Sequence, residues 1–147
     1  MKLSSIYKTL KFSISTLPKR IIFQKTIYLL QECGLEKKYD FVWYNFGPYS
    51  QQLADEGFNL TVQELNDAPF FTDESLEKFN ELIKGHKNDS LFYEMLADII
   101  FLIKEKDFPI EDENKLFLEI IDHRNHLNDK ALFIEAFNKA RKLIKYN

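Results

Sequence analysis

The chain has 147 residues, of which 45% are hydrophobic and 29% charged, with a formal net charge of −3. This balance excludes the hydrophobe-poor, charge-rich composition of disordered chains, and the length suits one compact domain with its own core. A single cysteine excludes an internal disulfide. The lysine-bearing first dozen residues lack a secretory apolar segment, and no run of about 18 apolar residues occurs, so a soluble cytoplasmic protein with no membrane partner is expected.

Fourteen Phe and seven Tyr stand against only four Gly and four Pro, which favours helices with short connections and a ring-rich interior. A first amphipathic helix is predicted over residues 4–12, with Ile6, Leu10 and Ile14 on its apolar side. After Pro18, Phe23, Ile27 and Leu30 recur at helical spacing, widened by Ile22, Leu29 and Cys33, and Gly34 stands where a left-handed cap ends a helix. Residues 39–46 are aromatic and β-branched and read as a strand with large rings on both faces, hence covered on both sides. Pro48 is expected in the first turn of the next helix, which Tyr49, Leu53 and Ala54 continue until Gly57 stops it.

An irregular stretch follows over residues 58–71, with a brief helix at 62–65 and a short extended piece at 69–71. The remainder reads as helices: 72–82 after capping residues, a longer one after Asn88-Asp89-Ser90 whose buried face carries Leu91, Met95, Leu96, Ile99, Leu102 and Ile103, then 111–123 and 128–144. The predicted fold class is therefore mainly α, one helical domain over 1–147 with a minor two- or three-stranded β element.

Candidates for chemistry are few. His123 and His126 are three residues apart but stand at a helix end, with His86 as the third histidine and Cys33 as the one thiol, so no metal site is expected. Cys33 lies on an apolar helix side, and Ser50 lacks the glycines of a nucleophile elbow and reads as a helix cap. No glycine-rich phosphate cradle occurs, and acidic pairs such as Asp73-Glu74 and Asp112-Glu113 suit the first turns of helices. No catalytic residue and no cofactor are expected.

Charge is segregated along the chain. Residues 1–38 carry eight basic and two acidic side chains, residues 39–138 eight basic and twenty-one acidic, and the last nine residues add Lys139, Arg141, Lys142 and Lys145. The basic end, with Lys8, Lys11, Lys19, Arg20 and Lys25, could neutralise phosphates, and helices flanking a small β element resemble winged-helix readers of DNA. Aromatics stand where such a wing carries basic residues, and the sequence pI is about 5.7. DNA binding is thus the alternative to a protein partner taken by the acidic middle.

The densest stretch is 43–50, WYNFGPYS. Together with the upstream helix it gives Phe23-Gln24-Lys25, Tyr28-Leu29-Leu30, Tyr44, Gly47-Pro48-Tyr49-Ser50 and Leu53. This layout over residues 19–60 resembles the YwgA-like proteins and the SocA-like group known as Panacea domains. The resemblance implies a mainly helical domain that binds a partner protein, in the SocA-like group the toxin of a toxin–antitoxin pair, with Gln24, Lys25, Tyr28, Tyr44, Gly47, Pro48, Tyr49 and Ser50 as partner-binding residues. The residues themselves leave two readings open: a structural corner joining strand to helix, or a binding groove lined by Tyr44, Tyr49 and Gln24.

Overall fold

A computed structural model describes residues 1–146, which form eight α-helices and one two-stranded antiparallel sheet. The mainly α expectation with a minor β element holds. In chain order the elements are α1 (Leu3–Thr9), α2 (Leu17–Glu32), β1 (Val42–Tyr44), β2 (Gly47–Tyr49), α3 (Gln51–Phe58), α4 (Val62–Asp67), α5 (Glu74–Ile83), α6 (Ser90–Glu105), α7 (Glu113–His123), a 3-10 turn at Asn125–Leu127, and α8 (Lys130–Tyr146).

α1 ends earlier than its apolar pattern suggests, because Lys11 takes a left-handed backbone (φ 54°) that no helix can continue. The reversal brings Phe12 edge-on to Tyr7 and Phe23, at ring separations of 5.8 and 5.1 Å. α2 starts at Thr16, whose hydroxyl accepts from the Lys19 amide, with Pro18 in the first turn where its missing N–H costs nothing. Gly34 ends it at φ 111°: the Gly34 and Leu35 amides return to the Gln31 and Leu30 carbonyls, the paired bonds of a Schellman cap.

The largest departure from the sequence reading lies at 42–50. One covered strand running into a helix was expected; the chain instead folds back on itself as a hairpin, pairing Val42 with Tyr49, Trp43 with Pro48 and Tyr44 with Gly47 across the two-residue turn Asn45-Phe46. Pro48 therefore sits in a strand, which a two-stranded ribbon tolerates because it leaves amides on its outer edges unpaired. The helix begins three residues later, where the Ser50 hydroxyl accepts from the Leu53 amide. Only one side of the hairpin is covered, and Val42 and Tyr44 point outward.

Two further expectations fail for local reasons. Gly57 does not stop α3 but lies inside it, where a Cβ would come within 2.8 Å of the Phe23 ring; the residue is small for packing, not for turning. No strand forms at 69–71. That segment is held by the Phe71 amide donating to the Thr9 hydroxyl at 2.8 Å.

α6 runs through the middle of the molecule, against α2, α8 and β2, and every residue from 92 to 102 is buried. Its apolar neighbours include Ile27 and Leu30 of α2, Leu116 and Ile120 of α7, and Phe133 and Phe137 of α8. A helix buried on all sides should be apolar all round. α6 is not: Glu94 and Asp98, four residues apart and so on one face, are both in the interior.

Two outcomes follow. Gly57→Ala adds a helix-favouring methyl group that alone would stabilise by about 1 kcal/mol, yet Phe23 is wedged between Tyr7 and Phe12 and cannot yield, so a net loss of about 1–3 kcal/mol is expected in urea unfolding. Burial pushes the Cys33 thiol up to about 12 from its ordinary 9.0, and the Tyr39 and Tyr93 phenols are raised for the same reason. Above pH 9 the unfolded chain loses protons at these three groups that the folded chain keeps, so the stability they contribute should fall as pH rises from 9 toward 12; unfolding curves of the parent chain and of Cys33→Ala at successive pH values read the thiol's share as the difference between them.

Candidate functional site

The hairpin rests on α2 through side chains that stand in for strand neighbours. The Gln24 amide donates to the Ser50 carbonyl at 2.9 Å and its oxygen accepts from the Ser50 amide at 3.0 Å, so one side chain satisfies both backbone groups of a buried residue. Next to it, the Lys25 ammonium donates to the Pro48 carbonyl at 2.8 Å. Gln31 repeats the device about two helical turns along, pairing with both the amide and the carbonyl of Tyr39 at 3.1 and 3.0 Å. These contacts explain why polar residues stand on the buried side of α2.

Lys25 is only 2% exposed, and its charge is answered from α6. Asp98, fully buried, and Glu94 lie below the hairpin, and Arg124, in the connection after α7, reaches in beside them. The Arg124 Nε stands 3.3 Å from Asp98 Oδ2 and 3.9 Å from Glu94 Oε1. The first contact is close but not aligned as a hydrogen bond, and neither Asp98 oxygen has a hydrogen-bond partner among the described residues. The guanidinium also donates to the Tyr44 carbonyl and lies 4.0 Å from the Trp43 ring centre, clamping β1 from below. His126 closes the set from the surface, 2.6 Å from Glu94 Oε1 and edge-on to Phe46.

The electrostatics follow from this enclosure. Loss of water drives the Asp98 carboxyl upward, against the attraction of Arg124, and drives the Lys25 ammonium downward, against the attraction of Asp98 and Glu94. Glu94 is raised by burial, opposed by its hydrogen bond to His126. Gly47 makes the close approach possible. Its φ is 96°, and a Cβ there would lie 2.1 Å from Asp98 Oδ1, so any side chain would displace either the hairpin or the carboxylate.

Above this platform lies a groove of about 400 Å³, bounded by the start of α2, the hairpin turn and α3. Leu17, Phe46, Tyr44, Tyr49 and Phe58 supply its apolar walls, Gln24 and Lys25 its floor, and Arg20 and Asp55 its opposite charges. Tyr44 is 56% exposed and Phe58 79%, and the Tyr44 and Tyr49 rings lie 5.1 Å apart.

Of the eight residues expected to bind a partner, Tyr44 and Tyr49 face the groove and Gln24 and Lys25 form its floor. Gly47, Pro48 and Ser50 are buried supports of the hairpin, and Tyr28 is a core residue, edge-on to Phe41 with its hydroxyl lacking a hydrogen-bond partner among the described residues. The basic set is divided. Lys25 is interior, Lys8 donates to the Ala68 and Asn66 carbonyls, Arg20 donates to the Ile14 carbonyl, and Lys11 and Lys19 stand exposed. His123 pairs with Glu119 while His126 pairs with Glu94, so the two imidazoles serve different carboxylates.

The sequence reading missed Glu94, Asp98 and Arg124. The signal was present as two acids at helical spacing inside an otherwise apolar helix. Leu17 and Phe58 were missed because nothing local marks a surface apolar residue as part of a wall. Comparison with family models, curated proteins and solved structures found no match to this chain.

Gln24→Leu keeps the volume and removes both bonds to Ser50; with each buried orphan costing about 1–3 kcal/mol, a loss of about 2–6 kcal/mol is expected in chemical unfolding. Lys25→Met leaves the buried carboxylates short of a cation and should cost about 3–5 kcal/mol. Asp98→Asn added to Lys25→Met should recover part of that loss, a non-additivity that a double-mutant cycle measures.

Proposed function

We propose that this chain is a non-catalytic protein-binding module, antitoxin-like or regulatory in kind, whose groove between α2, the hairpin turn and α3 receives an apolar anchor of a partner protein. The observation that carries this reading is the wall itself: Leu17, Tyr44 and Phe58 are large apolar side chains left in solvent around one concavity. Tyrosine and phenylalanine around a pocket are the residue types that supply most interface energy, because they bury a large area for few frozen torsions.

Charge narrows the partner. Arg20 from α2 and Asp55 from α3 both line the groove, which favours a segment carrying an acidic and a basic residue beside its anchor. The non-catalytic part of the reading is supported by how the ionisable groups are used. The Lys25 ammonium is committed to the Pro48 carbonyl, and Asp98 lies under the Gly47 backbone, outside the groove lining. Their perturbed titration is the kind that active sites employ, but the ammonium at the groove floor is bonded to the hairpin backbone and the carboxylate does not line the groove.

A photo-crosslinking residue placed at Phe58 tests the reading, with the same residue at Leu118, exposed on α7, as the control. One protein species is expected to crosslink at Phe58 and not at Leu118. Its binding should weaken by tenfold or more, about 1.4 kcal/mol, in Tyr44→Ala and in Phe58→Ala, with the unfolding midpoint unchanged. Equal labelling at both positions, or full binding by both alanine variants, counts against the groove.

A further inference from the structure

A second cleft, of about 690 Å³, opens on a different side of α2. It is bounded by the connection between α1 and α2, by Lys19, Ile22 and Thr26 along one face of α2, by Phe79, Asn80 and Ile83 of α5, and by Lys87, Asn88 and Tyr93 at the entry to α6. Its charged lining is entirely basic. Lys11, Lys19 and Lys87 come from three separate segments, and all three line it without a single carboxylate in the lining. Among the described residues none of the three ammonium groups is ion-paired, although the chain carries more acids than bases. Asp89, the acid next to this wall in sequence, is turned away to cap α6 through the Phe92 amide and to meet His86.

Like charges gathered on one concave surface repel one another, and that repulsion is relieved by a bound anion. The rest of the lining gives the anion a shape. Phe12, Ile22, Phe79 and Tyr93 provide a ring-rich apolar wall, while Thr9, Ser13, Asn80 and Asn88 offer hydroxyl and amide groups. Cationic groups beside an apolar wall with amides at the edge suit a molecule that carries phosphate at one end and a flat, hydrogen-bonding ring at the other. A volume of this order matches small-molecule sites and is too confined for a duplex.

We propose that this cleft binds a nucleotide, its phosphate held by Lys11, Lys19 and Lys87 and its base laid against the Phe12 side of the cleft. Ammonium groups on flexible stems take the place of the glycine-rich phosphate loop that the sequence lacks. Lys11 is set by backbone as well as by side chain: its left-handed φ of 54° turns the chain where it lines the cleft. The site is separate from the groove and shares no lining residue with it.

Isothermal titration of the full chain with AMP, adenosine and inorganic phosphate tests the proposal, together with a short single-stranded DNA. Saturable AMP binding is expected, at least tenfold tighter than adenosine or phosphate alone, and weakening as salt is raised. The double variant Lys11→Glu/Lys87→Glu, with both changes at exposed positions, should lose tenfold or more of the AMP affinity while its circular dichroism and unfolding midpoint stay put. No saturable AMP binding at millimolar concentration overturns the proposal. So does AMP binding that the double variant retains, or DNA binding without AMP binding, which would mark the lysines as a nucleic-acid surface.

Discussion

A charged residue can be buried only if something inside the protein replaces the water it leaves, and around the hairpin opposite charges and backbone carbonyls make that replacement, incompletely at Asp98, whose oxygens have no hydrogen-bond partner among the described residues. Two carboxylates on a central helix are set against a lysine from α2 and an arginine from beyond α7, and both cations are also bonded to hairpin carbonyls. The backbone of the hairpin is thus part of the solvation shell of the charges. Neither would be tolerable alone: the hairpin has too few strands to hold itself, and the charges have too few partners without it.

This arrangement decides what the groove above it can be. Tyr44, Phe46 and Tyr49 are held at the surface because the backbone beneath them is pinned at Tyr44, Pro48 and Ser50 by Arg124, Lys25 and Gln24. A wall fixed before a partner arrives loses little conformational freedom on binding, and that freedom is one of the larger costs of association. The nucleotide cleft has the opposite character. Its three lysines are exposed and part of its lining is the irregular connection between α1 and α2, so a ligand there must fix long side chains that no ion pair among the described residues holds in place.

Much of the fold was legible in the sequence because its causes are local. Gly34 as a left-handed cap, Ser50 as a helix cap, Cys33 as an inward thiol and the periodic faces of α5, α7 and α8 each depend on residues within a turn or two. The hairpin was not legible as such, since Gly47-Pro48 reads locally as the end of a strand and the start of a helix. What overrides that reading is distant: the Gln24 amide captures Ser50, and Asp98 leaves room only for a glycine. The same holds for the site. Tyr44 and Tyr49 announce themselves by composition, whereas Glu94 and Asp98 acquire meaning only once Arg124 and Lys25 are brought across them.

The two carboxylates on α6 also bear on the order in which the chain assembles. Their counter-charges lie near opposite ends of the sequence, Lys25 in the second helix and Arg124 just ahead of the last. Until both have arrived, the middle helix cannot be enclosed without stranding an acid in oil, so burying the apolar surface of α6 requires contacts from both sides of it in the sequence. While the chain is unfolded the same two acids face water, so the most apolar helix of the protein carries its own polar relief for as long as its counter-charges are not yet in place.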